Sequence, residues 1–517
     1  MNSSLPAWFP SVLLSLQLIL GCTRAETAGT LTLFDAPSSE PSVSLAEPID
    51  PVWLRSRTVE VYSDRLDPSL LSPGTLVRLP LFADREYVGR ITEVVGLADS
   101  VVSWRGTLEG YVNGHFSAVT TVGGTSFHLS DGRGGDFDVR PEAGGAHRLC
   151  QARSGELGNC GTCGVTPTRA IAPSALVAPA LPPPLPPPPK PSADITYIDV
   201  LVLYTPNARA AAGGPDAIQS KAYHFIVDSN WRHRRSNTHI QLRLVGWQEI
   251  AYDDSSQDLG RHLANMASDR YPAESIQAEV ASRREAAGAD FVVLLTHGRV
   301  NSGSVLGIAA GWPSVVEWTQ DTAVFTHELG HSMGCHHEIN APDHPPTGNY
   351  NLGYGHTEEW DLGVGKVTEK RVTIMYSGFN PDTRTDYFSN PDISFLYTGN
   401  NCGGFGDGAC LDVTHPLGVA NSVDNARYLR ENRATSAQLK QPKFYLVREA
   451  PGGDGSNLAP ANNLSSVYSQ WFPATEAVPE APTVIRVAEG HYPAPIRITQ
   501  NSRLEKWLGT GLVRLGP

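Results

Sequence analysis

Positive charge is scarce in this chain of 517 residues: 40 Lys and Arg stand against 53 Asp and Glu, for a net charge of −13 and a pI near 5.7. That balance argues against nucleic acid as a partner and favours a soluble, self-repelling surface. Long apolar runs are scarce too. Residues 5–20 are apolar but too short to span a bilayer comfortably, and no later segment reads as transmembrane. No Lys or Arg precedes Arg24, so the positive start of an export signal is missing, although the apolar run followed by Gly21-Cys22 and polar sequence otherwise reads as one. Catalytic spacing is absent from residues 26–167, which places the chemistry further along the chain.

There the stretch His327-Glu328-Leu329-Gly330-His331-Ser332-Met333-Gly334-Cys335-His336-His337 stands out. On a helix His327 and His331 lie one turn apart and share a face, close enough to hold one metal ion. Zn²⁺ suits that pair, and Glu328 beside the first ligand would reach a metal-bound water and take its proton. Gly334 permits a backbone turn that stops the helix, so that His337 swings in as a third ligand. Three protein ligands leave a fourth position open, as in catalytic zinc sites. The plainer alternative is a helix with surface histidines. Downstream, Ile374-Met375-Tyr376-Ser377 is a short apolar strand end that breaks into Gly378. A lone Met at a strand end is ordinarily core, and Met375 gains interest only from the motif before it.

Together these two elements resemble the metzincin metalloendopeptidases, whose pattern is HExxHxxGxxH followed by a Met-turn. The resemblance implies that Met375 underlies the zinc site as a soft hydrophobic floor. Tyr376 does not match the spacing of metzincins that use a tyrosine as an extra ligand and is not assigned to the metal. Over residues 194–433 the pattern is similar to the bacterial peptidyl-Asp metalloendopeptidases near the reprolysins. That likeness implies cuts on the amino side of acidic residues and a basic pocket, whose residue the sequence does not identify.

The length suggests about three domains, and the reading divides the chain as follows. Residues 1–25 are an export signal; Ile19-Leu20-Gly21-Cys22 also resembles a bacterial lipobox, with Cys22 as a lipid anchor, the alternative being cleavage nearer Ala25. Residues 26–167 read as a β-rich propeptide, with short strands such as Val59-Glu60-Val61-Tyr62 and the alternating run from Val101 to Leu108. Its stretch Trp104 to Tyr111 resembles reprolysin propeptides, and Thr162-Cys163-Gly164-Val165 resembles the end of one, which implies Cys163 as an inhibitory zinc ligand. The usual Pro-Lys before the cysteine is absent, and Cys160 stands where none is expected. A disulfide of Cys160 with Cys163, or of either with Cys150, is the alternative. Residues 168–193 are a Pro-rich linker, stiff and exposed, with or without a role in processing.

Residues 194–436 form the predicted catalytic domain. Strands are expected at 195–204, 239–247 and 291–295, and helices at 216–235, with Ala222, Phe225, Ile226 and Trp231 near one stripe, and at 273–287, stopped by Gly288. This alternation predicts an α/β sandwich with a mostly parallel sheet. Leu306, Gly307, Ile308 and Ala309, within 305–311, have the place of the antiparallel edge strand that in this family binds substrate, although a buried strand would look the same. A closing helix is expected at 419–432. Of seven cysteines, six remain once Cys22 is removed by processing or lipidation, a number consistent with bridges in an exported protein. Cys402 could pair with Cys410, or one of them with Cys335. Residues 437–517 return to strands and turns, and Pro482 to Tyr492 with Ile496-Arg497-Ile498 resembles the opening coil of a parallel β-helix, with fewer coils than such a repeat needs.

The expectation is therefore a secreted or envelope-attached zinc endopeptidase made as a zymogen, acting on polypeptides. Two rivals stay open: a catalytically silent zinc-bearing adhesion or carbohydrate-binding protein, and a zinc hydrolase of a non-peptide substrate. An intact Glu328 counts against the first, since a structural site has no use for that carboxylate.

Overall fold

A computed structural model describes residues 30–37, 53–62, 66, 71–98, 101–142, 145–152, 195–256, 258–268, 270–297, 306–319, 322–341, 350–361, 366–378, 383–397 and 412–437, and the backbone of five short strands beyond. Cys22, Cys160, Cys163, Cys402, Cys410, the export signal and the Pro-rich linker lie outside the described residues. Cys150 and Cys335 are free, buried thiols.

The N-terminal part is all β: β1 (Leu31–Thr32), β2 (Trp53–Val59), β3 (Leu76–Phe82), β4 (Arg85–Ala98), β5 (Val101–Leu108), β6 (His115–Thr121), β7 (Gly124–Ser130), β8 (Asp136–Pro141) and β9 (His147–Ala152). From β3 to β9 the strands form an antiparallel meander, β2 closes onto β9, and a bridge between Phe34 and Val61 ties the two ends of the sheet together. Side chains alternate across each strand, so Trp104, Phe116, Phe127 and Phe137 gather on the inner face and bury a core of their own.

The second part begins with β10 (Thr196–Tyr204), then α1 (Pro206–Ala212), α2 (Pro215–Arg235), β11 (Ile240–Glu249), α3 (Leu259–Ala267), α4 (Gln277–Ala287), β12 (Phe291–Thr296), β13 (Gly307–Ala309), β14 (Pro313–Glu317) and α5 (Thr322–Ser332). The sheet order is β11-β10-β12-β14-β13; β10 pairs in parallel with β11 and β12, β12 with β14, and only β13 runs antiparallel. Period-two alternation splits β10 between two cores: Ile198, Val200 and Val202 face the layer of α2 and α5, while Leu201 and Leu203 face that of α3 and α4. Both faces of the sheet are thus covered, which is why β12 and the second half of β10, from Val200 to Tyr204, read as continuous apolar runs.

Several expectations need correction. The helix expected from residue 273 begins at Gln277, because Glu274 N bonds back to Tyr271 O and its carboxylate is drawn to Arg261 on α3, a helix the sequence reading had not anticipated. A strand, β14, lies between β12 and the expected edge, and β13 itself is only three residues long. The closing helix α6 (Asn425–Ser436) starts later than residue 419, since Val419 and Val423 bridge around Asn421, at φ 61°, and Asp424 then caps the helix by accepting from Arg427 N.

Between α5 and α6 come two separate hairpins, β15 (Gly355–Asp361) with β16 (Lys366–Val372), and β17 (Asn390–Tyr397) with β18 (Val413–Leu417). Beyond α6, β19 (Lys443–Leu446), β20 (Thr483–Val487), β21 (Gly490–Tyr492), β22 (Ser502–Lys506) and β23 (Val513–Leu515) pair only in parallel, β19 and β22 on either side of β20 and β21 with β23.

The two main parts share one core. Val101, Val119, Cys150 and Ala152 join the cluster built on β10, α2 and α5. Opposite the sheet, the polar face of α2 is buried against β6 and β7 rather than exposed to water. His224 exchanges hydrogen bonds with Ser117 Oγ (2.9 Å) and Ser126 Oγ (2.8 Å), and Arg105 Nη2 donates to Asp228 Oδ1 at 2.7 Å. Trp231 sits outside the core stripe assigned to it; Arg105 lies 4.3 Å over its ring. Charged partners on a second surface explain why this helix looks only weakly amphipathic in sequence.

Candidate metal centre

The helix α5 is buried from Thr322 to Gly330, and His327, Glu328, Leu329 and Phe325 are all fully enclosed. Its start is fixed by Thr322, whose hydroxyl donates to Asp228 Oδ2 at 2.7 Å, and its middle by Thr326, 2.8 Å from Ser229 Oγ. Its end is a left-handed Gly334 (φ 93°), with Cys335 N donating to Gly330 O at 2.8 Å. A Cβ at 334 would meet the Tyr428 hydroxyl at 2.6 Å, so space as well as φ demands glycine. Asn351 Nδ2 donates to Gly334 O, and His336 pairs through its backbone with Asn351 and Gly353. This anchoring turns the chain so that His337, not His336, points back at the helix.

The result is a convergence of three imidazoles. His327 Nε2 lies 2.8 Å from His331 Nε2 and 3.1 Å from His337 Nε2, and the last two are 3.0 Å apart. On the far side of each ring, His327 Nδ1 faces Ile374 O at 2.6 Å and His331 Nδ1 faces Cys335 O at 2.8 Å. A carbonyl accepts only, so both Nδ1 atoms carry the proton and both Nε2 atoms present lone pairs to each other. A single proton on His337 Nε2 would reach one neighbour and leave the other contact repulsive. A cation relieves all three contacts, and nitrogens bound to a tetrahedral zinc at about 2.0–2.1 Å stand about 3.3 Å apart, close to what is seen. Burial holds the His327 imidazole well below its usual range, and His331 and His337 push it the same way, so it is neutral and ready as a ligand. The donor set fits a metal ion.

Glu328 is fully buried beside His327, and its side chain lies against β13: a Cβ at Gly307 would come within 2.6 Å of Glu328 Cγ and 2.7 Å of its Oε1. Leu306, Gly307, Ile308 and Ala309 thus run past the carboxylate, with β13 the outermost strand of its sheet among the described residues. Met375 is fully buried under the centre, and a Cβ at Gly330 would overlap its Sδ. Gly353 in turn gives room for Met375 O. The sequence reading missed these glycine contacts. It also missed Glu338, next to the third histidine, which accepts from Ser377 N (2.8 Å) and Ser377 Oγ (2.6 Å) and so ties the turn after Met375 to the histidine segment. Arg384 also escaped notice; it pairs by backbone with Val372, and its charge reaches the His327 ring. Cys163 lies outside the described residues.

A sheet ending in an antiparallel edge strand, a helix with two histidines one turn apart, a third histidine after a glycine turn and a methionine beneath them together resemble the metzincin metallopeptidases. Comparison with known proteins agrees. Residues 196–389 match the family Reprolysin_5, described as Metallo-peptidase family M12. The chain is 30% identical over 252 residues to a peptidyl-Asp metalloendopeptidase of Stenotrophomonas maltophilia, covering 47% of this chain and 52% of that one. It is 27% identical over 281 residues to a peptidyl-Asp metalloendopeptidase of Pseudomonas aeruginosa, covering 50% and 43%. The chain therefore spans about half the length of the curated relatives it matches. Metalloproteinase-II from Bacteroides fragilis overlays with a TM-score of 0.34 at 11% identity, over 62% of this chain and 88% of that one. The resemblance to metalloendopeptidases read from the motif is shared by the family match and by both relatives.

Proposed function

We propose that this chain is a zinc-dependent endopeptidase in which His327, His331 and His337 hold the metal and Glu328 is the general base. The observation that carries this reading is the meeting of three Nε2 atoms beside a buried carboxylate on the same helix. When bound, zinc supplies Lewis-acid polarisation of a scissile carbonyl and of a water. Glu328 accepts a proton from that water as its oxygen forms the new bond to the carbonyl carbon, then delivers it to the amine nitrogen as the C–N bond breaks. Ile374 O keeps the proton of His327 on Nδ1, so Nε2 keeps its lone pair for the metal. A peptide laid along β13 as an added strand would bring its backbone past Glu328. Glu328→Gln keeps size and hydrogen bonding, so the protein should retain its zinc while casein turnover falls about a hundredfold or more. Undiminished turnover would remove Glu328 from the mechanism, and an absence of any zinc-dependent cleavage by the wild type would favour an adhesion protein or a hydrolase of another substrate.

Export and latency belong to the same reading. The N-terminal β domain would be a propeptide and residues 168–193 the place of its removal, with Cys163 supplying a thiolate that displaces the reactive water until cleavage. Its burial against α2 through Arg105 and His224 supports a role as a partner of the catalytic domain. Full-length wild type, Cys163→Ala and Cys160→Ala would be compared under conditions that prevent processing. Activity released only in the Cys163 variant supports the latch; a fully active uncut wild type, or three equally silent proteins, removes it.

A further inference from the structure

Away from the three histidines, a second group of metal-type ligands stands between the two hairpins. His356 and Glu358 are two apart on β15 and so share a face, and His415 comes from β18, in a different sheet. Their ligand atoms lie within 4.8 Å of one another. Both imidazoles aim Nε2 at the same carboxylate oxygen: Glu358 Oε2 is 2.6 Å from His415 Nε2 and 3.3 Å from His356 Nε2. The two rings are tilted together with centroids 4.2 Å apart.

Ordinary ion pairing accounts poorly for this group. A single carboxylate oxygen serves both nitrogens, at unequal distances, and the two rings from different sheets are crowded together over it. One divalent cation engages both nitrogens and the carboxylate at once, and two imidazoles with one carboxylate are a donor set that zinc takes. The surroundings also suit a metal. Tyr397, fully buried, sets its ring edge against both histidines, at 5.5 Å from His356 and 5.4 Å from His415, and with Trp360, Phe395 and Leu417 it makes an apolar floor. The Tyr397 hydroxyl has no hydrogen-bond partner among the described residues. Side-chain exposures of 29%, 19% and 30% for His356, Glu358 and His415 leave a path for the ion to enter from solvent.

We propose that His356, Glu358 and His415 form a second site for a divalent cation of the zinc class, and that it staples the β15–β16 hairpin to the β17–β18 hairpin. The segment between β16 and β17 carries Met375 and Arg384, so the staple braces the chain on both sides of the floor of the first centre. The site needs no contribution from His327, His331 or His337, and its presence is independent of catalysis.

The test is metal stoichiometry on the full chain carrying Glu328→Gln, which prevents self-cleavage. Protein stripped with a chelator would be titrated with Zn²⁺, with bound metal measured by mass spectrometry and unfolding followed by circular dichroism. The expectation is two zinc ions per chain, falling to one in His356→Ala/His415→Ala, with the remaining ion lost only on adding His337→Ala. Glu358→Gln, which keeps shape and hydrogen bonding, should weaken the second equivalent and shrink the zinc-induced rise in melting temperature, even if the double variant folds poorly. Saturation of the parent at one ion that His337→Ala abolishes, or an undisturbed second equivalent in Glu358→Gln, overturns the proposal. Failure of the first site alone would show instead as a zinc ion that survives His337→Ala but not His415→Ala.

Discussion

His327 Nδ1 and Ile374 O meet at 2.6 Å, so the residue just before Met375 sets which nitrogen of His327 faces the metal centre. The contact depends on how deeply the turn sits under α5, and Gly330 and Gly353 allow that depth by leaving room for the Met375 side chain and carbonyl. Met375→Ala should therefore do two things: open a cavity costing about 2–5 kcal/mol, and loosen zinc binding through Ile374. Met375→Leu, nearly equal in volume, should cost under about 1.5 kcal/mol. Urea unfolding with parallel zinc titration checks both; equal metal affinity in Met375→Ala and wild type would show that the turn does not orient His327.

Gly307→Ala puts a methyl group into the space occupied by Glu328 Cγ and Oε1. Turnover should fall by about tenfold or more while zinc content stays at the wild-type level, because the carboxylate moves and the histidines do not. A variant that loses metal and activity together would place the damage in the fold instead.

The two adjacent histidines differ in role. His337→Ala should lose zinc affinity and activity together, whereas His336→Ala, which keeps the backbone pairing to Asn351 and Gly353, should lose little of either. Equal metal loss from both would mean that the third ligand is misassigned.

Acid should separate the two domains. Burial holds His115 and His224 down to about 4, against about 6.5 for an unfolded chain. Between those values the unfolded chain binds more protons, so stability falls as pH drops from about 6.5 towards 4. Asp386 opposes burial with help from His115, Arg232 and Arg235, which hold its carboxyl down at about 2, so its contribution is lost later, as pH falls from the usual 3.8 through that value. Melting temperatures across this range should slope downwards with acid, and His224→Gln, which does not titrate, should flatten the upper part. A flat wild-type profile between pH 6.5 and 4 would rule out these histidines as the acid-sensitive contact.

Much of the centre could be read from the chain because its geometry is local. His327 and His331 share a face by helical period, and Gly334 ends the helix through a φ of 93° that residues with a Cβ resist. The strands of the sheet were visible for a similar reason, since burial on both faces leaves an unbroken apolar run from Val200 to Tyr204 in β10 and from Phe291 to Leu295 in β12. Only tertiary structure decided the rest. That Ile374 orients His327, that Gly307 abuts Glu328 and that Glu338 ties down Ser377 are contacts across 47, 21 and 39 positions. The polar face of α2 is buried because β5, β6 and β7 supply Arg105, Ser117 and Ser126 as partners. His356 and His415 carry no motif at all, being brought together by two hairpins from separate sheets. Periodicity encodes what a residue does within its own element, while a contact between elements is set by packing over the whole domain and leaves no fixed spacing in the chain.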